Sequence, residues 1–142
     1  MISASLTDTE DIAKDFLQTL PQANGEHALL VTLAGDLGGG KTAFTKAIAK
    51  HLGITEDITS PTYVIQKTYS IDFRGYKNLV HIDAYRLESG KELHAIGWEE
   101  TLANPENLII LEWPERVLDA LPEQYQKIEF VFVSENEREI KI

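Results

Sequence analysis

Three features of the 142-residue sequence predict an α/β fold of three layers, with a mixed, mainly parallel central sheet and antiparallel strands at its edge. Ala28 to Ala34 is a short, nearly continuous apolar run, as expected of a strand buried on both faces. It leads into the glycine-rich stretch Gly35-Asp36-Leu37-Gly38-Gly39-Gly40-Lys41-Thr42, and then into Phe44, Ala47, Ile48 and Leu52 at helical spacing. Further on, Leu108-Ile109-Ile110-Leu111 repeats the buried-strand signature and ends in an acid, Glu112.

The glycine-rich stretch fits the phosphate-binding pattern G-x-x-x-x-G-K-[ST] at every fixed position. Glycines let the backbone curl until successive N–H groups point at one anion, and the following helix adds its positive N-terminal end. Lys41 supplies a mobile charge for the β and γ phosphates, and the Thr42 hydroxyl can ligate magnesium. Gly35 to Ala43 is therefore read as the wall that holds a nucleoside triphosphate. The strand before it and the helix after it, closed by Gly53, give the motif the context it requires.

The length suits a single domain over residues 1–142. No apolar run approaches eighteen residues, and Met1-Ile2-Ser3 does not read as an export signal. With no cysteine, disulfides and thiolate metal sites are excluded, and the cytoplasm is the expected compartment. A formal charge of −10 opposes independent binding to a phosphate backbone, which requires a basic face. Any nucleic acid is expected to be held by another protein.

Taken in order, Thr7-Asp8-Thr9-Glu10 reads as a capping box opening an amphipathic helix of Ile12, Ala13, Phe16, Leu17 and Leu20, ended by Pro21. After the phosphate loop and its helix, Ser60-Pro61-Thr62 forms a polar turn. Its hydroxyls are either structural or, as in switch loops, sensors of the γ-phosphate and metal. Tyr63 to Tyr69 and Asn78 to Ile82 read as an antiparallel pair of strands joined through Asp72-Phe73-Arg74-Gly75. Asp83 closes the second strand, where a carboxylate is well placed to meet a ligand. His81 shares its face, and is read as a hydrogen-bonded structural residue rather than a metal ligand. Short helical pieces surround Gly97.

Glu112 is the strand-tip acid expected in the second half of an ATPase site. Binding magnesium, orienting water, or both are open to it. Trp113 either stacks near the ligand or packs on the sheet. Lys127 to Val133 and Arg138 to Ile142 alternate, and form a closing hairpin.

Three classes of nucleotide-dependent protein compete. A GTPase would carry Asp-x-x-Gly and Asn-Lys-x-Asp, and this chain has neither. A small-molecule kinase would need an acceptor pocket and usually an arginine-bearing lid, yet Arg74, Arg86, Arg116 and Arg138 are scattered between elements. A regulatory ATPase, or a docking module gated by nucleotide, needs only the loop, metal ligands and a switch.

Gly-Asp-Leu-Gly-Gly-Gly-Lys-Thr at 35–42, Ser-Pro-Thr-Tyr at 60–63, His-Ile-Asp-Ala-Tyr-Arg at 81–86 and Leu-Glu-Trp-Pro-Glu at 111–115 together resemble the TsaE (YjeE-type) family, the bacterial ATPases of tRNA threonylcarbamoyladenosine synthesis. The resemblance implies a cytoplasmic, magnesium-dependent ATPase, weak alone, that works with TsaB and TsaD and meets tRNA only through their complex. It implies catalytic roles for Lys41, Glu112, Asp83 and Thr62. Magnesium is assigned to Thr42, Glu112 and Asp83, and nucleotide contacts to Trp113, Thr9 and Arg138. Gly39 replaces the family's usual Ala, and Ala84 a bulkier residue. Neither change removes a chemical group.

Overall fold

The computed structural model describes residues 1–35, 40–58 and 65–142. Asp36, Leu37, Gly38 and Gly39 of the phosphate loop, together with Ser60 and Thr62, lie outside the described residues. The elements run β1 (Ile2–Ser3), α1 (Leu6–Thr19), β2 (Leu29–Gly35), α2 (Lys41–His51), β3 (Gln66–Phe73), β4 (Tyr76–Asp83), α3 (Gly90–Ala95), α4 (Trp98–Ala103), β5 (Asn107–Glu112), β6 (Gln126–Ser134) and β7 (Glu137–Lys141). Two short 3-10 turns, Pro114–Arg116 and Leu118–Ala120, link β5 to β6.

Among the described residues the strands form one mixed sheet in the order β1-β7-β6-β2-β5-β4-β3. Its centre is parallel, from β6 through β2 and β5 to β4, and the outer pairs β3–β4, β6–β7 and β1–β7 are antiparallel. This is the expected architecture. The apolar runs sit where both faces are covered: Val31, Leu33, Leu79, Leu108 and Ile110 face α1 and α2, whereas Leu30, Val80, Ile82, Ile109 and Leu111 face α3, α4 and the 3-10 turns. Phe44 of α2 ties the first layer together, with ring centroids 6.0 Å from Phe16 and 5.4 Å from Phe130.

Local chemistry ends the elements where the sequence says it should. Gly53 adopts φ 82° after α2, while Gly53 N–H donates to Lys50 O and Ile54 N–H to Ala49 O, the paired bonds of a Schellman cap. The β3–β4 hairpin turns through Arg74 and Gly75, both at positive φ, the geometry that matches the twist of the strands it joins. α3 and α4 flank Gly97, also left-handed, as expected.

The first helix corrects the sequence reading. Its cap is Ser5, two residues before the expected box: Ser5 Oγ accepts the Asp8 N–H at 3.1 Å, and Asp8 Oδ2 accepts the Ala4 N–H at 2.9 Å. Thr7-Asp8-Thr9-Glu10 carries the box pattern but lies inside the first turns. The displacement arises because Ser3 is tied to β7, so the chain leaves the sheet and starts to coil at once. Ser5→Ala is accordingly expected to lower unfolding free energy by about 1 kcal/mol, and Thr7→Ala, at an exposed helical position, by less than about 0.5 kcal/mol. Denaturant titration of the two variants checks this.

β1 itself was not expected. Two residues carry no periodicity, and only the free edge of β7 makes them a strand.

Candidate functional site

The strand order determines what meets the phosphate loop. β5 inserts between β2 and β4, so the tips of three parallel strands lie side by side, with Leu33 opposite Glu112 and Glu112 opposite Asp83. Two carboxylates from segments 29 residues apart thus share one row, next to the strand that launches residues 35–42. Both are buried, Glu112 at 2% and Asp83 at 8% exposure.

Gly35 leaves β2 at φ 137°, and a Cβ there would collide with the Phe130 carbonyl of β6, so only glycine lets the chain turn so close to its neighbour. The chain re-enters helix at Gly40, whose φ of 97° again suits glycine. Among the described residues no side chain caps α2. The first intrahelical bond runs from Phe44 N–H to Gly40 O, so the N–H groups of Lys41, Thr42 and Ala43 belong to the turn that has no helical acceptor to meet. That is the arrangement an anion needs at a helix N-terminus.

Lys41, the first helical residue, is buried. Its ammonium donates to the Gly35 carbonyl and lies 3.9 Å from the centroid of the Trp113 ring. Trp113 reaches this position because its own backbone is left-handed, at φ 61°, immediately after Glu112 and before Pro114. A bulky residue in that region costs about 1–2 kcal/mol, strain of the kind that gathers at ligand sites. Its N–H still reaches Leu33 O at 3.2 Å, so the sheet pairing continues through the bend. The ring also lies 5.0 Å from that of Tyr85 and packs against the second core. Of the two alternatives left open for Trp113, packing on the fold is what the structure shows, and its ring also meets the ammonium of Lys41.

Asp83 Oδ1 accepts the Tyr85 N–H at 3.0 Å, and the Ala84 N–H donates to Glu112 O at 3.0 Å, which stitches the two strand ends together beyond their acids. Glu112 Oε2 lies 2.5 Å from His81 Nε2, and His81 is fully buried. The expectation that His81 is hydrogen-bonded is met. That its partner is the strand-tip acid required knowing that β4 and β5 are neighbours.

Thr9 and Arg138, remote in sequence, come to the same place. With Gly40 and Ala43 they line a cavity of about 280 Å³ between the start of α1, the start of α2 and the β6–β7 turn. Thr9 Oγ1 is 2.7 Å from Ser3 Oγ, while Arg138 donates to Ser134 O at 2.9 Å and covers the Phe132 ring. A more apolar cavity of about 310 Å³ lies between β6, the C-terminus and the 3-10 turns, and touches none of the described loop residues.

Among the described residues no three His, Cys, Asp or Glu side chains are gathered as a metal cage. Magnesium bound with phosphates does not ask for one. It takes one or two carboxylates, a hydroxyl and several waters, all hard oxygen donors. Half-buried Thr42 on α2, with Asp83 and Glu112 on the strand tips, offers that donor chemistry. No described helix is long and apolar enough to cross a membrane.

The family described as "Threonylcarbamoyl adenosine biosynthesis protein TsaE" matches residues 3–140. A relative from Treponema pallidum (strain Nichols), named tRNA threonylcarbamoyladenosine biosynthesis protein TsaE, is 38% identical over 117 residues, covering 82% of this chain and 83% of its own. Its namesake from Bacillus subtilis (strain 168) is 36% identical over 133 residues, covering 94% and 77%. The crystal structure of Bacillus subtilis YdiB superposes with a TM-score of 0.74 at 30% identity, over 99% of this chain and 80% of that one. The phosphate loop, the paired strand-tip acids and these matches lead to one conclusion: the chain belongs to the TsaE family of tRNA threonylcarbamoyladenosine biosynthesis.

Proposed function

We propose that the protein is a magnesium-dependent ATPase that hydrolyses ATP to ADP and phosphate and thereby keeps the tRNA-modifying machinery turning over. The observation that carries this reading is the row Leu33–Glu112–Asp83, which sets two buried carboxylates beside the strand that opens the phosphate loop.

Each residue then has a task. Loop 35–42 and the first turn of α2 hold the phosphates, and Lys41 sets a positive charge against the transferring one. Thr42, Asp83 and Glu112 would hold magnesium directly or through its waters, and the ion would neutralise charge developing on the phosphates. Glu112 orients the attacking water. Thr9, Ala43 and Arg138 border the cavity proposed for the rest of the nucleotide, and Trp113 packs against the Lys41 ammonium. Thr62 is retained as a γ-phosphate sensor from its sequence context. Catalysis is by positioning and charge, with no covalent intermediate.

TsaD and TsaB are the proposed partners, in the cytoplasm. With a formal charge of −10, the protein meets tRNA through them rather than by itself. In an assay with γ-labelled ATP, we expect label to appear as free phosphate, slowly for the isolated protein and faster with the partner proteins, and to vanish when EDTA removes magnesium. Absence of ADP with magnesium and both partners present, or transfer of label to a metabolite, would overturn the reading.

A further inference from the structure

We propose that His81 is a positioning residue for Glu112, holding the carboxylate in the orientation from which it acts on water or metal. The inference rests on the reading of Glu112 given above, and adds a residue to it.

The geometry is specific. His81 pairs with Ile110 across the β4–β5 ladder, and Asp83 pairs with Glu112. Side chains two apart on a strand share a face, so His81 lies diagonally opposite Glu112 and beside Asp83 on the face that carries Leu79, Leu108 and Ile110. An imidazole in this apolar row is out of pattern. Its Nε2 meets Glu112 Oε2 at 2.5 Å, with the two residues 0% and 2% exposed.

The other ring nitrogen, Nδ1, is buried with no hydrogen-bond partner among the described residues. The ring was therefore not placed to satisfy nearby backbone. Its one described hydrogen bond goes to the acid. As an N–H donor, Nε2 fixes the plane of the carboxylate and occupies Oε2, so that Oε1 is the oxygen left to act on water or metal.

A purely structural account is weaker. Buried polar pairs contribute little net stability over well-packed apolar residues, and a leucine would fit a row already made of Leu and Ile. Outer-shell partners that orient an acting carboxylate, by contrast, are worth about 10- to 100-fold in metal affinity or activity.

The test compares His81→Leu, His81→Asn and His81→Gln. Glutamine can extend an N–H to about where Nε2 sits, whereas asparagine is too short and leucine has none. In the leucine and asparagine variants we expect kcat to fall about 10- to 100-fold while magnesium-free nucleotide affinity is unchanged, and we expect glutamine to restore most of kcat. Wild-type kcat in the leucine variant, a glutamine variant as slow as leucine, or parallel loss of nucleotide affinity would overturn the proposal.

A readout independent of hydrolysis comes from NMR of the protein free of nucleotide and metal. A slowly exchanging, strongly downfield imidazole N–H signal is expected, and it should disappear in Glu112→Ala. Its absence from the wild type, or its persistence in Glu112→Ala, would overturn the contact even if a His81 variant failed to fold. Wild-type protein that shows this signal but hydrolyses no ATP would instead sink the ATPase reading and leave the contact standing.

Discussion

Lys41→Ala is expected to lower kcat/KM for ATP by at least about 10²- to 10³-fold, the loss seen when one preorganised donor to a developing charge is removed. Lysine is a compact point charge on a flexible stem, and such a group normally surrenders much rotamer freedom when it engages a ligand. Here the stem is already buried, with the ammonium donating to the Gly35 carbonyl and lying over Trp113. The charge is placed in advance. Alanine removes both the charge and its placement, and the next residues in the first turn of α2, Thr42 and Ala43, are uncharged and cannot substitute. Stopped-flow nucleotide binding together with steady-state phosphate release measures the effect. Full activity in the variant would dissolve the assignment of this loop.

Glu112→Ala is expected to separate binding from chemistry. Hydrolysis should fall by about 10²- to 10⁴-fold, the usual range for a positioned acid or base, while ATP affinity stays close to wild type because loop 35–42 is untouched. The same change leaves His81 Nε2 without its acceptor in a buried site, which costs about 1–3 kcal/mol of stability. Glu112→Gln keeps an acceptor for His81 and should recover most of that stability without recovering turnover. Isothermal titration with ATP, single-turnover hydrolysis and thermal melts read the three quantities separately. Equal loss of affinity and turnover would make Glu112 a binding residue instead.

The parts of the fold that were legible in the sequence are those with a local cause. The run before Gly35 and the run before Glu112 became central strands because continuous apolar character tolerates only a site covered on both faces. Gly53 and Gly97 ended or joined helices because a left-handed residue was required there. What the sequence concealed depends on which segments become neighbours.

Nothing around His81 announces Glu112 as its partner, since the bond exists only once β5 has entered between β2 and β4. The true cap at Ser5 was hidden for a similar reason: Ser-x-x-Asp at 5–8 and Thr-x-x-Glu at 7–10 are nearly equivalent locally, and the pairing of Ser3 with Arg138 decides between them. Thr9 and Arg138 were placed near the nucleotide by resemblance alone, and in the structure they line one cavity together with Ala43. Trp113 was legible as a residue but not as a left-handed one.

The row that joins Leu33, Glu112 and Asp83 makes the site a matter of parity. On a strand, odd and even positions face opposite ways, so deleting one residue anywhere between Tyr76 and Ile82 would bring Ile82's orientation to Asp83 and send the acid toward Leu111 and Trp98. The same deletion in the 104–106 turn leaves every strand's phase intact. Length variation in descendants of this sequence is thus expected to concentrate in turns, and a strand can change length only in steps of two if the carboxylates are to keep facing α2.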